Sequence, residues 1–179
     1  MSEAPQQESS IDPVEAEVRA LVAGLSTSDV SVLDCDPDLA DTAEFCRAYD
    51  IDPADSANAI LVIGKASSAE VPPTYVLCLV LATHRLDVNK AVRKRLGVKK
   101  ASFAPAELTR ELTGMQIGGV TPFGMPADIP IWIDAAVMRR PRVVVGGGSR
   151  AAKVIGPPAM LLEIPGAEVV DDLANPIPE

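Results

Sequence analysis

The stretch Thr113-Gly114-Met115-Gln116-Ile117-Gly118-Gly119-Val120-Thr121-Pro122-Phe123-Gly124 lies between a predicted helix and the apolar run Ile131-Trp132-Ile133. Glycine tolerates a positive φ, so the chain can turn sharply at Gly118 or Gly119, and Pro122 then fixes the direction in which it leaves. Such a backbone presents N–H groups that a carbonyl or phosphate oxygen can approach closely. We therefore expect this stretch, the glycine loop, to form the floor of an active site; a tight structural turn is the alternative.

Patterns on either side of the glycine loop predict both helices and strands. Apolar residues at helical spacing behind aspartate or proline caps predict helices, and short apolar runs bounded by turn residues predict buried strands. The predicted helices are 13–24, one opening at Asp36-Pro37, one from Asp87 to Gly97, 105–113 and 157–162. The predicted strands are 30–33, 59–63, 75–81, 131–134, 142–146 and 168–170. Because helices and strands do not alternate regularly, we expect an α+β fold with a mixed, mainly antiparallel sheet flanked by helices.

Length and composition are those of one globular domain. The 179 residues suffice for a core, and we expect a disordered tail over 1–10, a single domain over 11–174 and a frayed tail over 175–179. No apolar run approaches the roughly 18 residues of a membrane helix, and the first nine residues lack a signal-peptide pattern. A cytoplasmic protein without a membrane partner is therefore expected. Three cysteines without CxxC spacing and a single histidine, His84, indicate neither a metal site nor a cofactor.

Charge is distributed unevenly along the chain. The formal net charge is −9, which disfavours a nucleic-acid partner because phosphate contacts supply most of that affinity. Most of the 16 basic residues nevertheless fall in two segments, 85–100 and 139–153. Such runs are commonly the solvated face of a helix, and charge alone favours that interpretation over a local basic surface for tRNA.

A second glycine-rich segment, Gly146-Gly147-Gly148-Ser149-Arg150, follows a predicted strand. It could cradle an anion, but close packing of backbone explains a lone glycine run equally well. No zinc-protease, nucleophile-elbow or phosphate-loop motif occurs at a credible position. Residue chemistry alone therefore assigns no reaction.

Three segments in order resemble the YbaK/ProX family, the free-standing relatives of the editing (INS) domain of bacterial prolyl-tRNA synthetase. Gly118–Gly124 is similar to the family's GxxxP-type loop, Leu86–Lys100 to its "LDxxKxxKxLGxKK" helix, and Gly146–Leu161 to its "SAGxRG…PxxL" segment. The likeness covers roughly residues 30 to 174. It implies the family's α+β editing-domain fold.

The resemblance also implies a hydrolase that removes the wrong amino acid from a mischarged tRNA in trans. The partner would be the 3′ acceptor end of an aminoacyl-tRNA, with an aminoacyl-tRNA synthetase as a further candidate. The chemistry would be ester hydrolysis by water that needs neither metal nor histidine. The implied catalytic residues are Gly118, Gly119 and Lys153. The implied substrate-binding residues are Asn58, Thr121, Pro122, Phe123, Gly147, Gly148, Ser149 and Arg150, and the implied tRNA-binding residues are Lys90, Arg93, Lys94, Lys99 and Lys100.

One position departs from the family pattern. The family's functional lysine falls on Asn58, whose amide carries no charge and forgoes the charge-assisted part of a hydrogen bond. Lys153 stands where some members carry an acidic residue, so the positive charge has by hypothesis moved across the pocket. Two alternatives stay open. One is a catalytically weakened or inactive binding module for aminoacyl-adenosine, a nucleotide or a protein partner; the other is a small-molecule hydrolase on the same fold.

Overall fold

Two sheets and a short two-stranded ribbon carry the fold. The computed structural model describes residues 10–179, so residues 1–9 of the expected tail lie outside the described residues. The helices are α1 (Pro13–Ala23), α2 (Thr42–Ala48), α3 (Arg93–Leu96), α4 (Ala106–Thr113) and α5 (Ala135–Met138). The strands are β1 (Ser31–Asp34), β2 (Ala57–Lys65), β3 (Thr74–Leu81), β4 (His84–Leu86), β5 (Lys100–Phe103), β6 (Ile131–Asp134), β7 (Val143–Gly146), β8 (Ala152–Gly156), β9 (Ala167–Val170) and β10 (Ala174–Pro176). A π-helical turn, Val88–Val92, runs directly into α3.

The main sheet has five strands in the order β5-β2-β3-β6-β9. Strand β2 is antiparallel to both β3 and β5, whereas β6 is parallel to β3 and β9. The second sheet, β1-β8-β7, and the β4-β10 ribbon are antiparallel throughout. The predicted α+β fold with a mixed, mainly antiparallel sheet is confirmed.

The main sheet separates two apolar clusters. Successive side chains of a strand point to opposite faces, and in β3 Leu77 and Leu79 join one cluster while Val76 and Cys78 join the other. The first cluster contains residues of α1 and the glycine loop. The second contains residues of the π-helical turn that precedes α3. The glycine loop and the basic helix therefore pack against different apolar clusters.

The sequence patterns do not predict four of the strands, because each is at most five residues long and lacks a continuous apolar run. These strands are β4, β5, β8 and β10. The frayed tail expected from Asn175 is in part strand β10, since Asn175 pairs with Arg85 and Pro176 with His84. The helix expected from Asp36 is interrupted. A 3-10 turn at Pro37–Leu39 comes first, and α2 begins only after Asp41.

Candidate active site

A cavity of about 400 Å³ lies between the two sheets. Strand β2 contributes Ala57–Leu61 to its wall, β7 contributes Val144–Gly146, and α2 and the glycine loop close the remaining sides. Ser56, directly before β2, forms an isolated parallel bridge with Val144 of β7. The cavity therefore opens where the sheets separate, and its volume is in the range of small-molecule sites.

The first half of β2 has an open edge toward this cavity. Strand β5 pairs with β2 only from Val62 onward. The carbonyl of Leu61 already points to that side, because it accepts a hydrogen bond from Ala104 N at 2.9 Å. Backbone groups of alternate residues in a strand point to the same side, so the N–H and C=O of Ala59 also face the open edge. The cavity wall thus offers a backbone donor and acceptor for a ligand.

Lys153, on β8, brings a positive charge into the cavity. Its side chain is buried, and Nζ donates to Ala40 O at 2.7 Å and Gly118 O at 2.8 Å. The same Nζ lies 5.3 Å from the centre of the Phe45 ring. Within residues 10–179 no carboxylate forms an ion pair with it, and burial lowers the pKa of the Lys153 ammonium. An ammonium has three donors, so one N–H remains for a ligand.

Asn58 lines the same cavity from β2. Its side chain is half-buried, and its Oδ1 accepts a hydrogen bond from Thr42 Oγ1 at 2.8 Å. This bond links β2 to the first turn of α2 and leaves the amide N–H groups of Asn58 for other partners. The structure therefore brings together the two residues, Asn58 and Lys153, that the charge-relocation hypothesis needs.

The glycine loop places Gly118 at the cavity, with φ at +93°. The positive φ favours glycine, and a Cβ there would lie 2.4 Å from Nη1 of Arg150, so the Arg150 side chain would have to move. Gly119 is arranged differently. Its N–H donates to Gln116 O at 2.9 Å, its C=O accepts from Gly148 N at 2.8 Å, and it is absent from the cavity wall. Gly118 and not Gly119 therefore has access to a ligand.

Three predicted substrate-binding residues, Thr121, Pro122 and Phe123, are buried in the second half of the glycine loop. Thr121 Oγ1 accepts from Phe123 N at 3.4 Å, and Phe123 belongs to the first apolar cluster. None of the three lines the cavity. In this structure they form a buried part of the loop that does not face the cavity.

The second glycine-rich segment packs tightly against the glycine loop. A Cβ at Gly146 would lie 2.0 Å from Val120 O, and one at Gly147 would lie 2.6 Å from the carbonyl of Ala152. Gly147 and Gly148 are buried and do not line the cavity. Close backbone packing accounts for glycine at position 147, and a φ of +93° accounts for it at position 148.

Ser149 and Arg150 hold the site from outside. Ser149 Oγ donates to Oε2 of the buried Glu15 at 2.5 Å and so ties this segment to α1. Arg150 donates to three partners on two sides of the rim: Pro37 O at 2.9 Å, Ile117 O at 2.9 Å and Asp41 Oδ1 at 3.0 Å. The hydrogen bond from Arg150 lowers the pKa of the Asp41 carboxyl. Arg150 is thus a clamp between the glycine loop and the start of α2.

The predicted tRNA-binding residues lie elsewhere. Lys90, Arg93, Lys94, Lys99 and Lys100 are all exposed, on the π-helical turn, on α3 and at the start of β5. Lys100 pairs with Lys65 at the end of β2 remote from the cavity. Seven residues of extended strand separate Lys65 from Asn58, which corresponds to roughly 23 Å. These residues form a basic surface outside the cavity.

Helix α2 contributes to the cavity in a way that no sequence motif predicts. Asp41, Thr42 and Phe45 all line the cavity, and Ala40 adds a carbonyl to Lys153. Asp41-Thr42 signals only that a helix begins there, not which cavity the helix faces. Among the described residues no group of three or more His, Cys, Asp or Glu is placed to hold a metal ion. Within that range no helix is both long enough and apolar enough to span a bilayer.

The sequence segments and the cavity closed by the glycine loop together indicate an editing domain. The family model "Aminoacyl-tRNA editing domain" matches residues 36–164, and the chain belongs to this family. The resemblance to YbaK-type editing domains is thereby confirmed. Helix α1 and strand β1 precede the matched region.

Individual relatives agree with the family assignment. The uncharacterized protein YwhH of Bacillus subtilis (strain 168) is 32% identical over 113 residues, which are 63% of this chain and 71% of that protein. A crystal structure of a protein proposed as a trans-editing enzyme for prolyl tRNA synthetase matches with a TM-score of 0.73 and 26% identity, covering 90% of this chain and 98% of the other. The crystal structure of the hypothetical protein APE2540 matches with a TM-score of 0.72 and 26% identity, covering 90% and 99%.

Proposed function

We propose that this protein hydrolyses the ester of mischarged aminoacyl-tRNA in trans. The observation that carries the proposal is the buried ammonium of Lys153, which lines the same cavity as Asn58 and has no carboxylate partner within the described residues. A buried cation without a counter-ion is costly, and an anionic ligand or a developing negative charge compensates that cost. Membership in the editing-domain family supplies the substrate class.

In this proposal the 3′-terminal adenosine and its aminoacyl group occupy the cavity. The edge groups of Ala59 orient the ligand through its polar atoms, and the Asn58 amide donates where the family has a lysine. The backbone N–H of Gly118 and the remaining N–H of Lys153 then approach the ester carbonyl or a neighbouring phosphate. Fixed donors of this kind stabilise charge as it develops and need no reorganisation during the reaction.

The reaction needs only water as co-reactant. Its oxygen attacks the carbonyl carbon of the ester, the carbonyl oxygen becomes an oxyanion, and the C–O bond to the ribose then breaks. The water supplies one proton to the departing ribose oxygen, and free amino acid and tRNA are the products. Positioning and electrostatic stabilisation can supply many kcal/mol for such an activated ester.

The exposed basic surface of Lys90, Arg93, Lys94, Lys99 and Lys100 is proposed to contact tRNA phosphates. Its edge at Lys100 lies roughly 13 Å from the cavity, counted along β2 from Leu61 to Lys65, which is about four base-pair steps of a duplex backbone. An aminoacyl-tRNA synthetase is proposed as a further partner, on the basis of the family resemblance alone.

The second candidate is a binding module that kept the cavity without the chemistry. Asn58 favours it, because the position of the family's functional lysine carries no charge here. The two candidates separate in one experiment: deacylation of Ala-, Ser-, Thr- and Cys-tRNA bearing prolyl or neighbouring anticodons by wild type and by Asn58→Lys. Turnover by wild type supports the deacylase. Activity that appears only in Asn58→Lys identifies a binding module.

A further inference from the structure

A second cavity, of about 550 Å³, adjoins the first. The two share Thr42 and Asn58, whose side chains are joined by the 2.8 Å hydrogen bond. The side chains of Thr42 and Asn58 therefore belong to the boundary between the two cavities. A ligand that fills the first cavity reaches the second by passing this pair.

The second cavity has an apolar part and a basic rim. Cys46, Ile51, Pro53 and Ala82 line it, and Cys46 and Ile51 are themselves buried. Arg47, in the last turn of α2, also lines it, is exposed, and makes no ion pair with any carboxylate of residues 10–179.

A carboxylate close in the chain to this rim is held in an ion pair. Arg140 forms an ion pair at 2.7 Å with Asp55, two residues beyond Pro53 in the chain. That pair neutralises the carboxylate of Asp55, and the carboxylate of Asp52 accepts a hydrogen bond from Ala54 N at 2.9 Å. The guanidinium of Arg47, unpaired within the described residues, therefore lies beside an apolar wall, an arrangement that suits a base and its phosphate.

We propose that this second cavity binds the nucleotide that precedes the 3′-terminal adenosine of the substrate. The base lies against Ile51, Pro53 and Ala82, and Arg47 donates to the phosphate that links the two nucleotides. The inference rests on the proposed function, because that function places the terminal adenosine in the first cavity. It assigns a binding role to Arg47, which no motif in the sequence marks.

The test compares substrates of one and two nucleotides. Aminoacyl-adenosine fills only the first cavity, whereas aminoacyl-cytidylyl-adenosine reaches both. Wild type should hydrolyse the dinucleotide with a kcat/KM about tenfold higher or more, as expected for one charge-assisted hydrogen bond from Arg47. Arg47→Ala should abolish this gain and leave hydrolysis of aminoacyl-adenosine unchanged, and Arg47→Lys should keep part of the gain.

Arg110→Ala is the matched control, since Arg110 is likewise an exposed arginine in the last turn of a helix, α4. It should preserve the full difference between the two substrates. Equal kcat/KM for both substrates in wild type overturns the proposal. Equal loss on both substrates in Arg47→Ala also overturns it, because that result indicates a structural role.

Binding of the unacylated ligands separates this inference from the deacylase proposal. Wild type should bind cytidylyl-adenosine more tightly than adenosine, and Arg47→Ala should bind both alike. If wild type hydrolyses nothing but shows this binding difference, the second cavity is a nucleotide site on a binding module and only the deacylase proposal fails. If wild type binds the two ligands equally, the assignment of the second cavity fails whatever the activity.

Discussion

Replacing Lys153 by methionine removes the buried charge while keeping the length of the side chain. In the wild-type protein Nζ is held by Ala40 O and Gly118 O, and its third N–H is free for the substrate. Loss of one fixed donor to a developing oxyanion typically lowers kcat by about 10²–10³-fold. We expect deacylation by Lys153→Met to fall by that factor.

The same substitution should affect folding much less. Two charge-assisted hydrogen bonds are lost, at roughly 1.5–3 kcal/mol each, but the cost of burying the ammonium, also several kcal/mol, is removed. Because these contributions oppose each other, the free energy of unfolding should change by no more than ~2 kcal/mol. Lys65→Met is the control, since Lys65 is exposed at the far end of β2.

The assay is single-turnover deacylation of a mischarged tRNA, measured beside urea unfolding of each variant. A folded Lys153→Met protein whose rate stays within about threefold of wild type refutes the argument, because an oxyanion donor is expected to contribute far more. A rate loss that merely follows the unfolded fraction also refutes it. That outcome would make Lys153 a structural clip between Ala40 and Gly118.

Three further outcomes are expected. Burial lowers the pKa of Lys153 below 10.5 in the folded protein. At a pH between this lowered pKa and 10.5, Lys153 is therefore protonated in the unfolded chain and deprotonated in the folded one. Stability should therefore gain a contribution from Lys153 as pH rises through this window while deacylation falls, and urea titrations of Lys153→Met should lack that gain. Gly146→Ala should lose ~1–3 kcal/mol of stability from overpacking against Val120 O, whereas Gly24→Ala, whose nearest contact would be 3.5 Å, should be close to neutral in the same urea titration. Replacing Arg93, Lys94 and Lys99 together by neutral residues should remove three phosphate contacts, weaken the binding of all tRNAs alike and reduce the slope of log K against log salt by about 3. An unchanged slope would contradict the proposal that this basic surface contacts tRNA.

The elements that sequence analysis predicted are those whose signals are local. The apolar runs of β2 and β3, the aspartate and proline at the start of α1 and the conformational demand on Gly118 all depend on neighbours in the chain. The family resemblance added the positions of Asn58 and Lys153, and both line the cavity.

What could not be predicted depends on contacts between distant segments. Arg150 contacts Asp41, which is 109 positions away in the chain, and Ile117, which is 33 positions away. Thr42 and Asn58, which form a hydrogen bond, are 16 positions apart. The cavity lies where β5 no longer pairs with β2, and no residue of β2 predicts where that pairing ends. Thr121, Pro122 and Phe123 look like ligand contacts in a linear motif because the motif does not show which side of the loop is buried.

The open half of β2 also bears on the solubility of the protein. An unpaired strand edge offers N–H and C=O groups on which a strand from another chain can build, and exposed edges of this kind promote aggregation. Here the edge lies inside the cavity, where Ala57 and Leu61 are buried and Ala59 between them is half-buried. The clamp at Arg150 holds together the rim that covers this edge. The same rim that shapes the cavity therefore also keeps neighbouring molecules from adding strands to the sheet.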